Sequence, residues 1–256
     1  MADEHDEDEG YARIKSNIED GRYAKVDYSK PYTVSPESLL ARTKTECAEF
    51  GAMYALPEPV VFVLFWHNKF SKESLAEKFL QVDCADLLKE NRLSAEPCAF
   101  TIGTDPGDSN MCFVCCDDQV QNKDYISWGC NHFFCRQCHQ HYLRDKIEST
   151  EFFNIKCMDP ACHRVPSIQD ALRVFSDDND SNEAATLLEK YQRFTCNEIV
   201  NCTPDFAFCP KTGCSEISFI PQDFTDHFVE CIGCNFRFCP RCNQEEHDPA
   251  SCAEIQ

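Results

Sequence analysis

Twenty Cys stand in a chain of 256 residues, most of them paired across two to four intervening residues. Apolar residues recur at helical spacing before and between the Cys-dense stretches. Together these predict an α+β fold class, a string of small zinc-stabilised units and helices rather than one large core. A third observation separates metal from disulfides. A secreted chain would open with a basic tip and an apolar stretch, whereas this one opens Met1-Ala2-Asp3-Glu4-His5-Asp6-Glu7-Asp8-Glu9. The thiols are therefore expected in a reducing compartment, cytoplasmic and also nuclear, where closely paired Cys hold metal.

Composition narrows the partners. Lys and Arg total 24 against 44 Asp and Glu, a formal net charge of −20. Such a surface repels phosphate backbones and anionic lipid heads, so neither nucleic acid nor membrane is expected as a partner. The longest apolar stretch, Val60 to Trp66, is too short to span a bilayer. No basic recognition helix is visible, which disfavours a zinc-containing transcription factor.

Residues 1–30 read as an acidic disordered tail. Residues 31–82 read as a three-helix unit. Ser35-Pro36 offers an N-cap and a first-turn Pro, and Leu39, Leu40, Cys47, Phe50, Met53 and Tyr54 follow at helical spacing. Pro57 and Pro59 open a second helix carrying Val60, Val61, Val63, Leu64 and Trp66. Ser71 caps a third, with Leu75, Phe79 and Leu80 expected inward. Residues 83–110, with one possible helical turn and the run Asp105-Pro106-Gly107-Asp108-Ser109-Asn110, read as a linker. A first zinc unit is expected over 111–165 and a second over 206–254. Between them, 166–205 holds a helical connector in which Leu187, Leu188, Tyr191, Phe194 and Thr195 fall on neighbouring faces.

The first Cys-dense segment reads Cys112-x2-Cys115, Cys130-x-His132, Cys135-x2-Cys138 and Cys157-x4-Cys162. Zinc takes four thiolate or imidazole ligands tetrahedrally, so these eight close two structural sites. The second segment reads Cys209-x4-Cys214, Cys231-x2-Cys234, Cys239-x2-Cys242, His247 and Cys252, another eight. Four structural zinc ions are thus expected. Cys47, Cys84, Cys98, Cys116, Cys196 and Cys202 remain, each with the default reading of a small buried hydrophobe. Cys116 follows a ligand directly, and the x2 register favours Cys115 over it.

The first segment resembles the RING finger, and the second is similar to the in-between-RING (IBR) domain. That order resembles the RING-between-RING E3 ubiquitin ligases, with details closest to their Ariadne subfamily. The residues carrying it are Cys112-Phe-Val-Cys115, Gly129-Cys-Asn-His-Phe-Phe-Cys135, Tyr191-Gln-Arg-Phe, Phe208-Cys-Pro-Lys-Thr-Gly-Cys214, Phe236-Arg-Phe-Cys-Pro-Arg-Cys242 and His247-Asp-Pro. Tyr32-Thr-Val-Ser and the three helices after it resemble that subfamily's ubiquitin-associated (UBA)-like domain. The resemblance implies cross-braced pairing in the first segment. Cys112, Cys115, Cys135 and Cys138 would hold one ion, and Cys130, His132, Cys157 and Cys162 the other. It implies sequential pairing in the second, with Cys209, Cys214, Cys231 and Cys234 on a third ion. Cys239, Cys242, His247 and Cys252 would hold the fourth.

It also implies partners and activity. The RING would recruit a ubiquitin-loaded conjugating enzyme, with Val114, Trp128 and Met158 bordering the receiving groove. Ubiquitin and, in the subfamily, a neddylated cullin complex are further implied partners; the protein substrate is unknown. Where ordinary RINGs place an Arg after the last ligand to lock the thioester, this chain has His163, which fits ligases that pass ubiquitin through their own Cys. The chain stops at Gln256, so the second RING and its nucleophile are expected to be missing and no catalytic residue is assigned. The competing expectation is a non-catalytic zinc-binding adaptor that binds conjugating enzyme or ubiquitin without transferring it. His139, His141 and His227 lie near ligands but outside the register and are expected to be surface or core histidines.

Overall fold

A computed structural model describes residues 31–103, 111–116, 125–149, 151–175, 181–221, 223–224, 228–248 and 250–255. The acidic N-terminal run and the Asp105–Asn110 turn residues lie outside them, as does His227. The described residues divide into two compact units, one within 36–204 and the other formed by 31–35 with those of 205–255.

The 36–204 unit begins with α1 (Pro36–Tyr54), whose Leu39, Thr43, Cys47 and Phe50 are buried at intervals of three and four. The helix ends where Ala55 turns left-handed at φ 54° and Leu56 donates its N–H to the Gly51 carbonyl at 2.9 Å. A Cβ on Gly51 would sit 2.6 Å from the Leu56 carbonyl oxygen, so this reversal needs glycine. The next helix, α2 (Glu58–His67), starts after Pro57 and buries Val60, Val61, Val63, Leu64 and Phe65. In α3 (Lys72–Gln81), the Ser71 hydroxyl accepts from the Ser74 N–H at 3.1 Å, a standard N-cap.

The helical unit does not close at residue 82. Asp83 caps a fourth helix, α4 (Cys84–Glu90), whose Leu87 and Leu88 join Leu93 and Val165 in the same apolar cluster. One inward expectation is corrected: Leu80 is 85% exposed; Met53, on the α1 spacing, is 68% exposed as well. Leu75 and Phe79 are four apart and share the inward face, and Leu80, 100° further round, leaves it.

Residues expected to link also pair. β2 (Thr101–Gly103) lies antiparallel to β3 (Tyr125–Ser127), which pairs in turn with β4 (Phe134–Cys135). Against this sheet pack α5 (Arg136–Glu148), α6 (Ile168–Leu172) with the 3₁₀ turn Arg173–Phe175, and the long α7 (Ser181–Cys202). Their shared core holds Ile126, Trp128, Leu143, Ile147, Phe175 and Leu187. Phe153 stacks on Trp66 of α2 at 4.6 Å, and Phe152 meets Tyr191 of α7 edge-on at 5.8 Å. Arg144 and Glu183 form a two-pronged ion pair between α5 and α7, joined by Lys190 with Glu148 at 2.8 Å.

The other unit carries a three-stranded sheet in the order β1-β6-β5, with β1 Tyr32–Val34, β5 Phe206–Phe208 and β6 Ile217–Phe219. Tyr32-Thr-Val, expected at the head of the helical unit, therefore pairs with the second Cys-dense segment instead. A β-branched, aromatic triplet suits a pleated sheet, and Pro36 keeps the residue before it out of helical geometry. A hairpin of β7 (Val229–Glu230) and β8 (Arg237–Phe238) and the short α8 (Cys252–Ile255) complete it. Its buried cluster is Cys209, Val229, Cys231 and Phe238.

Candidate metal centres

Among the described residues, four sets of side chains bring their ligand atoms within 4.8 Å of one another: Cys112, Cys115, Cys135, Cys138; Cys130, His132, Cys157, Cys162; Cys209, Cys214, Cys231, Cys234; and Cys239, Cys242, His247, Cys252. The first two sets interleave along the chain and the last two follow in sequence.

The spacing within each set tests what it can hold. A Zn–S bond of about 2.3 Å in a tetrahedron puts neighbouring sulfurs about 3.8 Å apart. The observed separations are 3.9 Å for Cys112–Cys138, 3.8 Å for Cys115–Cys135, 3.5 Å for Cys130–Cys157 and 3.6 Å for Cys209–Cys234. Cys214–Cys231 and Cys239–Cys252 stand at 3.8 and 3.7 Å. A disulfide would need about 2.05 Å. The sulfurs thus sit at the edge length of a zinc tetrahedron, too far apart to be bonded to each other.

Protonation points the same way. Its hydrogen bond with Cys157 is the largest influence on Cys130 and holds that thiol down to about 4. Cys157 is pushed up, first by that bond and then by burial. Burial opposes ionisation of Cys112, yet the amides of Cys135, Cys115 and Val114 hold it down to about 7. Burial pushes Cys138, in the same set, up. Thiols this close cannot all ionise unless a cation joins them.

The two histidines present different nitrogens. His132 turns Nδ1 to Cys157 at 3.7 Å. His247 turns Nε2 to Cys242 at 3.3 Å and Cys252 at 3.7 Å, while its Nδ1 faces the Ala250 carbonyl at 2.7 Å. That carbonyl orients the ring in the way ligand histidines are held.

Local backbone explains why the pairs form. In three Cys-x2-Cys turns, the residue after the second Cys donates its N–H to the carbonyl of the first. Cys116 to Cys112 and Asn235 to Cys231 both measure 2.7 Å, and Asn243 to Cys239 2.9 Å. Those donors have φ of 57°, 56° and 54°. Cys116 is therefore an exposed turn residue in the left-handed position and not a buried hydrophobe. The fourth pair differs: Cys135 is the N-cap of α5 and its sulfur accepts the Cys138 N–H at 3.4 Å. Gly129, at φ 78°, turns the chain toward Cys130, and a Cβ there would lie 2.9 Å from the Ala99 nitrogen.

Among the groove residues expected from sequence, Val114 is 51% exposed at the tip of the first turn. Its neighbour Phe113, which sequence reasoning passed over, is 69% exposed; both positions between paired Cys face outward in such a turn. Met158 is partly buried against the cluster of Cys112, Tyr125 and Phe134. Trp128 is a correction: it is 1% exposed, packed in the core and edge-on to His139 at 4.9 Å, so it borders no surface. A large apolar ring just past the end of β3, set against His139 and Tyr142 of α5, is drawn inward. His139 is a core histidine that burial holds down to about 4, and His141 is exposed. Past His163, Arg164 turns inward, donating to the Gly129 carbonyl and to that of Pro97 at 3.3 Å and pairing with Glu96.

Residues 189–252, which include all eight ligands of the second segment, match the IBR domain family, described as a half RING-finger domain. The four clusters have donor sets that could hold zinc, and the chain is similar to curated proteins named as E3 ubiquitin ligases of the Ariadne type. It is 23% identical over 223 residues to the probable E3 ubiquitin-protein ligase ARI10 of Arabidopsis thaliana, covering 87% of this chain and 41% of that protein. With E3 ubiquitin-protein ligase ariadne-1 of Drosophila melanogaster it shares 25% over 253 residues, 98% of this chain and 48% of the relative. With the probable E3 ubiquitin-protein ligase rbrA of Dictyostelium discoideum it shares 26% over 240 residues, 90% and 44%. The chain thus spans less than half the length of these curated relatives.

Proposed function

We propose that this chain is the recruiting portion of an Ariadne-like E3 ubiquitin ligase, with a structural zinc ion in each of its four clusters. The interleaved pair of clusters displays Phe113 and Val114 to a ubiquitin-loaded conjugating enzyme. The observation that carries this reading is the pair of exposed apolar residues between Cys112 and Cys115, on a turn the metal would rigidify. An aliphatic or aromatic anchor on a rigid turn loses little entropy on binding. The helical unit is the surface proposed for a neddylated cullin complex, and the setting is a reducing compartment, cytoplasmic and nuclear.

The test is titration of a ubiquitin-loaded conjugating enzyme with the wild-type chain and with Val114→Ala. The expected loss is about 1–2 kcal/mol, roughly tenfold in affinity, at unchanged zinc content. Equal affinities would remove Val114 from the contact.

A second reading, the adaptor that recruits without transferring, draws on the spare thiols. Burial pushes Cys98 up to about 12 and Cys196 up to about 11, and raises Cys47, Cys84 and Cys202 as well. None of these five is poised as a nucleophile. A thiol-sensitive ubiquitin adduct on one of them would exclude the adaptor reading.

A further inference from the structure

Two bonds flanking the β5–β6 pairing fix which way the amides of β6 point. Cys209 donates to the Glu216 carbonyl at 2.9 Å, and Ile220 donates to the Asp205 carbonyl at 2.7 Å. Bonded pairs alternate along an antiparallel ladder, so Ser218 turns its N–H and C=O toward β5. Ile217 and Phe219 turn theirs the other way, where they face Val34 and Tyr32 of β1.

The β1 segment reads this edge in three ways. Its backbone pairs with β6 over Tyr32–Phe219, Thr33–Ser218 and Val34–Ile217. The Tyr32 ring stacks on Phe219 at 4.8 Å. The Thr33 hydroxyl accepts the Ile232 N–H at 3.1 Å, inside the turn that joins Cys231 to Cys234. This is the pattern of a bound extended peptide, with main-chain pairing for affinity and alternate side chains for selectivity. All three residues of β1 remain partly exposed, and a three-residue pairing is weak alone. Covalent attachment sustains it, because a segment of the same chain meets its site at a raised effective concentration.

We propose that the outer edge of β6 is a strand-addition site for an extended peptide of aromatic–hydroxyl–β-branched sequence, filled here by the chain's own Tyr32–Val34. β1 is then a detachable ligand held in cis, and its release opens the Ile217 and Phe219 amides to a similar segment of another protein. This stands independently of the ligase reading.

The experiment uses the full chain carrying Val34→Pro, which removes the N–H facing the Ile217 carbonyl, and follows amide hydrogen exchange residue by residue. Ile217 and Phe219 should exchange at least tenfold faster than in wild type, while Ser218, paired with β5, keeps its rate and zinc content is unchanged. Millimolar synthetic Lys30–Ser35 peptide should restore slow exchange at Ile217 and Phe219, and the same peptide with Pro in place of Val34 should not. A second variant, Thr33→Val, keeps the ladder and should speed exchange only at Ile232. Three results would each overturn the proposal. These are loss of Ser218 protection along with its neighbours, which makes β1 a structural member of the unit; no change at Ile217 and Phe219; and no restoration by peptide.

Discussion

The two Cys-dense regions share ligand chemistry and differ in what else holds them. Around the first, two interleaved clusters sit beside an apolar core of ten buried residues, among them Trp128, Leu143, Phe175 and Leu187. At about 1.5–3 kcal/mol for each large side chain removed from water, that core is a gross contribution on the order of 20 kcal/mol. In the second, the buried cluster is Cys209, Val229, Cys231 and Phe238, and two of those four are ligands. Val229, Phe238 and the fully buried Ile217 supply about 4–9 kcal/mol among them. A structural zinc ion supplies about 10–16 kcal/mol in small zinc-finger peptides near neutral pH. Metal and core would be separable in the first region; in the second a bound metal would supply more than the apolar core does.

Chelation should separate the two regions most widely. Stripping zinc should abolish hydrogen-exchange protection across 206–252 while α1–α4, α5 and α7 keep most of the helical circular dichroism, since their apolar contacts contain few ligands. A single transition in which the helices melt together with the second region would remove the distinction.

Ligand replacement probes the interleaving. Cys157→Ser opens the second cluster, whose members Cys130 and Cys157 bracket Cys135 and Cys138 of the first. Both ions of that region should be lost. Cys239→Ser should release one ion and leave the Cys209–Cys234 cluster filled. Elemental analysis of the folded proteins distinguishes a loss of two from a loss of one, and equal losses would break the comparison.

Trp128→Ala tests the separable core directly. Truncating a ring this buried should cost about 3–5 kcal/mol in the denaturant stability of the 36–204 unit. Exchange protection over 206–252 should not change. A loss below about 1 kcal/mol would mean that metal, not packing, dominates both regions.

What was legible in sequence follows range. Helices α1, α2 and α7 announce themselves through local spacing of apolar residues, and the Cys turns through two-residue gaps. The strands β1 and β2 are three residues each, and their partners lie 183 to 187 and 22 to 26 positions away. No local pattern reports such a pairing. Helix α4 was hidden because seven residues carry barely two turns of periodicity. Trp128 was misplaced for a related reason: the core it joins draws Leu143, Phe175 and Leu187 from three later elements. Ligand spacing says nothing about what covers a ring between two ligands.

The smallest expected effect bears on how two cluster turns can be alike while their sequences differ. Asn235 and Asn243 occupy the left-handed residue after the second Cys in their turns, and Cys116 occupies it in the first. Asn enters that region more easily than a residue without a short amide, because its side chain bonds locally. Cys116→Asn should therefore raise stability by a few tenths to about 1 kcal/mol, whereas Cys116→Ile, β-branched at positive φ, should lower it by about 1–2 kcal/mol. Zinc content should be the same in both, because Cys115 and not Cys116 lies within reach of Cys112, Cys135 and Cys138. Denaturant midpoints and elemental analysis measure the two quantities separately. If Cys116→Asn lost an ion, the register of the first turn would shift by one residue, and Cys115 would become the exposed turn residue.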